Sequence, residues 1–109
     1  MSLYAVSREA GPSWVDGMGA FDQPAVDDHA AFMNALADEG LVLFAGPVAG
    51  SEQARIRLLL VAEAESEADI RRRLADDPWE RTRQVVTTSI EPWTLIIGEN
   101  RLGAHPVAQ

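Results

Sequence analysis

Apolar positions along this chain switch between a period of two and a period of three to four, and each switch marks an element. Ser2 to Glu9 (SLYAVSRE) alternates Leu3, Ala5 and Ser7 with Tyr4, Val6 and Arg8, and its β-branched and aromatic content predicts a strand near the centre of a sheet. The period then breaks from Ala10 to Pro24, where Gly11-Pro12, Gly17, Gly19 and Pro24 surround Trp14 and Phe21. So long a loop in a small domain suggests a lid or a binding loop. Its aromatic side chains either pin it to the core or to a partner subunit, or touch a ligand. A helix is expected to begin between Gln23 and Asp28, because proline is tolerated in a first turn and Asp27 and Asp28 complement the positive end of the helix dipole. Val26, His29, Met33 and Leu36 then share one face, widened by Ala30 and Phe32, with Asn34, Asp38 and Glu39 outward. His29 lies at the wet end of that face. Gly40 stops the helix, and Leu41 to Phe44 reads as a short buried strand ended by Ala45-Gly46-Pro47.

After a turn over Val48 to Gln53, Ala54 to Ala64 (ARIRLLLVAEA) reads as a strand paired with the previous one in a long hairpin. Ser66 and Asp69 have the spacing of a helix-start capping motif, so a second helix is expected to about Ala75. Asp76-Asp77-Pro78 ends it, since proline disfavours helical geometry in the residue before it. Gln84 to Ile97 (QVVTTSIEPWTLII) gives the last strand, with Pro92 implying a bulge or an edge position. Asn100 to Gln109 has no period and reads as a loose tail or an arm reaching a second subunit, so residues 1–98 are expected to form one domain and 99–109 a tail. The order βαββαβ predicts an α+β, ferredoxin-like sandwich with both helices on one face of an antiparallel sheet. The other face needs a cover, which points to a homodimer.

Composition narrows the partners. At 109 residues the chain supports a single core. The apolar fraction of 47%, the lack of a long uncharged apolar run and the absence of a signal-peptide pattern at the N-terminus suggest a soluble cytoplasmic protein with no membrane partner. There is no cysteine, hence no disulfide, thiolate zinc site or thiol nucleophile. The formal charge is −8 and every basic residue is arginine, so a nucleic acid would meet a repulsive field and is not an expected partner. Arg71-Arg72-Arg73 reads as a solvated helix face with i,i+4 pairing.

Topology then gathers the unusual residues. Right-handed crossovers bring the start of the first helix, the end of the second, and the ends of the first two strands to one end of the domain. His29, Asp77, the Ala10 to Pro24 loop and Gly46-Pro47 are therefore expected to meet. A carboxylate beside an imidazole holds one tautomer and leaves the other nitrogen free for acid or base work near neutral pH. The plainer alternatives are a His29 bonded to Asp27, Asp28 or backbone, and an Asp77 that only ends a helix. Asp28 is the weaker partner, because adjacent helical side chains point about 100 degrees apart. No metal is expected: there are two histidines, of which His105 lies in the tail, and the carboxylates show no ligand spacing. No cofactor is expected either, because phosphate-binding and dinucleotide fingerprints are absent, as is a serine triad.

The sequence from Leu3 to about Ile97, with "DHAAFMNAL", "GLVLFAGPV", "ADDPW" and a last strand containing "EPW", resembles the YCII-related (YciI-like) domain family. The resemblance implies a homodimeric ferredoxin-like α/β-barrel with a catalytic pair in a cleft, His29 and Asp77 by position, and a Gly-Pro turn at Gly46-Pro47. Some members of that family resemble a dehydrochlorinase acting on a chlorinated hydroxyquinol, others accompany alternative sigma factors, and most have no assigned reaction. The loop from Ala10 to Pro24 and the tail after Ile97 depart from shorter members. On this basis the chain is expected to be a small lyase or isomerase in which His29, oriented by Asp77, moves a proton on a small organic substrate. Trp14 and Trp79 would supply apolar walls, and amides near Gly46 or the first helix would hold an anionic oxygen. The alternative is a non-catalytic dimeric binding or accessory module.

Overall fold

The structure is a computed structural model and describes residues 1–103; His105 and the rest of the expected tail to Gln109 lie outside the described residues. Four strands, β1 (Ser2–Ala10), β2 (Val42–Pro47), β3 (Arg57–Ala64) and β4 (Val85–Pro92), form a sheet in the order β2-β3-β1-β4. Every neighbouring pair is antiparallel. With α1 (Val26–Asp38) between β1 and β2 and α2 (Glu67–Leu74) between β3 and β4, this is the ferredoxin-like βαββαβ sandwich.

Alternation along the strands decides which side is buried. Tyr4, Val6 and Arg8 of β1 stand opposite Ala62, Leu60 and Leu58 of β3, on the face toward the helices. Leu36 of α1 and Ile70 and Leu74 of α2 close over Tyr4, Val6, Leu60, Ala62 and Ile90 to form the main core. A second core gathers Trp14, Ala20, Ile56, Trp79 and Val85 at the end of the sheet where β1 leaves and β4 enters. That second core is where the long loop folds down.

Several boundaries differ from the sequence expectation. The start of α1 at Val26 does fall within the expected window from Gln23 to Asp28, with Pro24 just ahead of it and Ala25 in a left-handed conformation, φ 62°. Leu41 to Phe44 is not a buried strand. The strand continues through Ala45-Gly46 to Pro47, and only Val42 is buried, because β2 is an edge strand. Phe44 is 56% exposed. It sits opposite Val61 on the face away from the helices, where Leu59 is also exposed. β4 ends at Pro92 and not at Ile97, and Ile96 and Ile97 are exposed. The tail begins with a helical turn, α4 (Glu99–Gly103), and is not structureless throughout. Asp77-Pro78 ends α2 as expected and at once starts α3 (Pro78–Arg81), which periodicity alone did not reveal. Among the described residues no helix is long and apolar enough to cross a membrane.

Ser66 caps α2 by accepting the Asp69 amide. The three arginines of α2 are paired at its surface: Arg71 with Glu67, Arg72 with Asp69, and Arg73 with Glu39 at the end of α1. They occupy a solvated face, as their spacing implies.

Candidate functional site

The loop from Gly11 to Pro24 is fastened to the second core by side chains chosen for that purpose. Gln23 is buried and clamps the loop onto itself, accepting from the Val15 amide at 3.0 Å and donating to the carbonyls of Val15 and Met18. The Trp14 indole donates to the Ala54 carbonyl at 3.1 Å. The Pro24 carbonyl accepts from the Trp79 indole at 2.9 Å and from the Gln84 amide at 3.2 Å. With Pro24 held and Ala25 turning the chain, the first turn of α1 is set in place, and with it His29. A left-handed alanine is strained by roughly 1–2 kcal/mol relative to glycine-like freedom, so the surrounding anchors determine that geometry.

Asp77 meets His29 from the other side. It is the N-cap of α3, its Oδ1 accepting the Trp79 amide at 2.9 Å, while Pro78 takes the first helical position where no amide is needed. Imidazole Nδ1 of His29 lies 2.9 Å from both Oδ1 and Oδ2 of Asp77. Arg8 Nη2 donates to Asp77 Oδ2 at 2.8 Å and to Glu80 Oε2 at 3.2 Å, and the Thr87 hydroxyl also donates to Glu80 Oε2. The side chains of Arg8 and Asp77 are fully buried and that of His29 is 14% exposed.

Burial by itself pushes the Asp77 carboxyl upward. The His29 hydrogen bond, the charges of Arg8 and of His29, and the Trp79 amide outweigh it and hold the carboxyl below its ordinary range. Asp77 is therefore ionised and can only accept, so Nδ1 of His29 carries its hydrogen. In the neutral ring Nε2 is then a bare lone pair, and no described residue hydrogen-bonds to it. The ring is stacked on Trp79 with centroids 3.9 Å apart, so the indole face supports the charge the imidazole acquires when it takes a proton.

Two cavities open on His29. The outer one, about 550 Å³, is walled by Val26, Ala30, Ile56 and Trp79, with Phe21 and Pro47 among the residues at its border. The inner one, about 180 Å³, is lined by Arg8, His29, Met33, Ala45, Gly46, Leu58 and Leu60. His29 and Met33 line both, so the larger vestibule and the smaller, mostly apolar recess adjoin at these two side chains. The outer volume lies within the roughly 300–1,000 Å³ typical of small-molecule sites. Among the described residues no three His, Cys, Asp or Glu side chains converge as a metal-ligand set.

The structure thus brings together His29, Asp77, Trp79, Gly46 and Pro47. Trp14 stands apart: it is buried and lines neither cavity, packing edge-to-face on Trp79 with centroids 5.6 Å apart. Asp27 borders the vestibule, whereas Asp28 is an exposed first-turn residue, and neither is hydrogen-bonded to His29. Arg8 and Glu80 were not anticipated. The signal for Arg8 was its place in register with Tyr4 and Val6, a charge at a position that alternation reserves for the core.

No protein-family model matches this chain, and no curated protein matches it. Among solved structures it is similar to 5-chloro-2-hydroxyhydroquinone dehydrochlorinase from Burkholderia phenoliruptrix, determined in complex with 2,5-dihydroxybenzoquinone. The TM-score is 0.55 at 18% sequence identity, covering 90% of this chain and 97% of that one. The likeness is one of fold. It agrees with the ferredoxin-like α+β architecture that the sheet order shows.

Proposed function

We propose that the protein is a YciI-like enzyme of the lyase or isomerase type, in which His29 moves a proton on a small organic substrate and Asp77 orients and balances it. The observation that carries this reading is the His29 to Asp77 contact at 2.9 Å, which engages Nδ1 of a ring that lines both cavities. A base that must act near neutral pH needs one nitrogen held and the other open, and proton transfer by such a group contributes roughly 10²–10⁴-fold to rate. Trp79, Val26 and Ile56 supply the apolar walls, and Pro47 and Gly46 close the side nearest β2. Trp14 acts through Trp79 and touches no substrate.

The site is expected to work in a cytoplasmic homodimer. Leu59 and Phe44, exposed on the sheet face without helices, are the natural contact between copies. The likeness to a dehydrochlorinase bound to 2,5-dihydroxybenzoquinone makes small oxygenated rings the first compounds to try. The test measures chloride release from 5-chloro-2-hydroxyhydroquinone and binding of 2,5-dihydroxybenzoquinone. Turnover that falls roughly 10²–10⁴-fold in His29→Gln, with the fold intact, is the expected result. Binding without turnover of that compound or of any other enolisable or halogenated ring would support the binding-module reading instead.

A further inference from the structure

The mechanism above leaves one buried group only partly used. Arg8 carries five N–H donors in a rigid fork. Its Nη2 serves Asp77 and Glu80, its Nη1 meets only the Met33 sulfur at 3.7 Å, and its Nε has no partner. A thioether is a weak acceptor, so donors of a fully buried guanidinium are left without oxygen, a costly arrangement that native proteins seldom keep without use. If Arg8 only braced Asp77, the Nη2 contact would suffice.

Arg8 is also one of the residues that line the inner recess. Arg8 and His29 are the only polar side chains among its lining residues, and Met33, which Nη1 touches, is another of its walls. Leu58 and Leu60, on the same sheet face as Arg8, make the recess otherwise apolar. An acceptor atom entering it would find Arg8 and His29 as the polar side chains of its lining.

Charge decides what kind of acceptor fits. The single cation Arg8 already faces the carboxylates of Asp77 and Glu80, within a chain of formal charge −8. A third full anion would enter a site whose positive charge is already matched, so repulsion from the two carboxylates opposes it. A neutral carbonyl oxygen meets no such penalty.

We propose that the inner recess binds the carbonyl oxygen of a neutral, enolisable substrate on Arg8, next to the base His29. This names the substrate class for the proton-transfer reading and rests on it. Nε2 of His29 removes the proton from the carbon adjacent to the carbonyl. The C–H electron pair becomes the new C=C bond, and the carbonyl π pair moves onto oxygen, where the developing charge is met by the Arg8 donors. Return of the proton to another carbon isomerises the substrate, and departure of a leaving group from the far carbon eliminates it. Arg8 becomes more useful as negative charge develops on oxygen, which is the requirement for catalysis over mere binding.

The test uses the protein labelled with ¹⁵N in arginine side chains and ¹³C in methionine methyls, titrated separately with acetophenone and benzoate. Acetophenone is expected to shift the Arg8 Nε–H and Met33 methyl resonances, and benzoate to bind at least about tenfold more weakly. Arg8→Lys, which keeps the charge and loses the fork, is expected to weaken acetophenone by about tenfold or more. An Arg8 Nε–H that stays in place at saturating or maximal soluble acetophenone, or benzoate binding more tightly than acetophenone, overturns the proposal, and both are read on the wild type should the variant not fold. Methyl hydrogen exchange of acetophenone in deuterated water reports the His29 step separately: binding on Arg8 without exchange upholds the carbonyl recess and sinks the proton-transfer reading alone.

Discussion

The imidazole of His29 lies flat on the indole of Trp79, with ring centroids 3.9 Å and planes 9° apart. The indole is in turn fixed by Trp14, which meets it edge-on at 5.6 Å, and by its own hydrogen bond to the Pro24 carbonyl. Trp79 thus ties the orientation of the histidine to the packing of the long loop.

We expect Trp79→Ala to cost roughly 3–5 kcal/mol in urea unfolding, the range for deleting a buried large aromatic ring. Trp79→Phe keeps a ring under His29 but loses the indole donor, and is expected to cost less. A Trp79→Ala variant with wild-type stability would show that the loop and α1 are held in place by other means.

The Asp77 carboxyl has a sharper signature in pH. Its pKa is held below the ordinary value in the folded protein, so the unfolded chain binds a proton more readily than the folded one. The stabilisation is therefore complete above about pH 5, beyond the unfolded value near 3.9, and is lost as pH falls through the lower folded value. Asp77→Asn is expected to be less stable at neutral pH, since Arg8 keeps only Glu80 as a carboxylate partner, and to lose less stability than wild type on acidification. Urea midpoints at pH 7, 5, 4 and 3 check this, and parallel acid profiles for the two proteins would exclude Asp77 as the source.

Much of this arrangement was legible before any coordinates. The switch in period placed each strand and both main helices, and the crossover rule brought His29 and Asp77 to one end of the domain from positions far apart in sequence. What escaped were features set by tertiary contact. Alternation puts Arg8 on the strand face of Tyr4 and Val6 without saying which face is covered, and only the burial of Tyr4, Val6 and Leu60 on that face shows that the charge stands inside. β2 could not be seen as an exposed edge, because its apolar run does not distinguish Val42, which enters the core, from Phe44, which faces the side of the sheet without helices. Asp77-Pro78 was read as an ending, although an N-cap followed by proline is also a helix beginning, and α3 uses it so.

That uncovered side makes a separate prediction about assembly. Leu59 is 42% exposed in the single chain, so replacing it by glutamate should change the stability of the monomer by only about 0.5 kcal/mol. Across a two-fold contact the same substitution sets buried carboxylates against an apolar face and against each other. Leu59→Glu is therefore expected to convert a wild-type dimer to monomer in light scattering at micromolar concentration. A monomeric wild type would refute the dimer outright.

Gly11 packs tightly against the corner that follows Trp79, and its replacement should be felt at the site. A Cβ at this position would lie 2.3 Å from the Arg83 carbonyl oxygen, in the corner joining α3 to β4. The backbone cannot yield easily, because the Gly11 amide donates to Gln84 at 2.7 Å and the Ser13 amide to Arg83 at 3.0 Å. Gly11→Ala must therefore displace the corner, with an expected cost of about 1–3 kcal/mol for overpacking. The Gln84 amide is bonded to the Trp79 carbonyl at 2.9 Å, so the displacement reaches the indole beneath His29. The Trp79 indole N–H resonance is expected to move in this variant, although position 11 lines neither cavity. Arg83 itself is left-handed at φ 64°, and Arg83→Gly, which removes that strain, is expected to be neutral or stabilising by up to about 1 kcal/mol. If Gly11→Ala lowers stability while the indole resonance stays fixed, the corner and the site are mechanically separate.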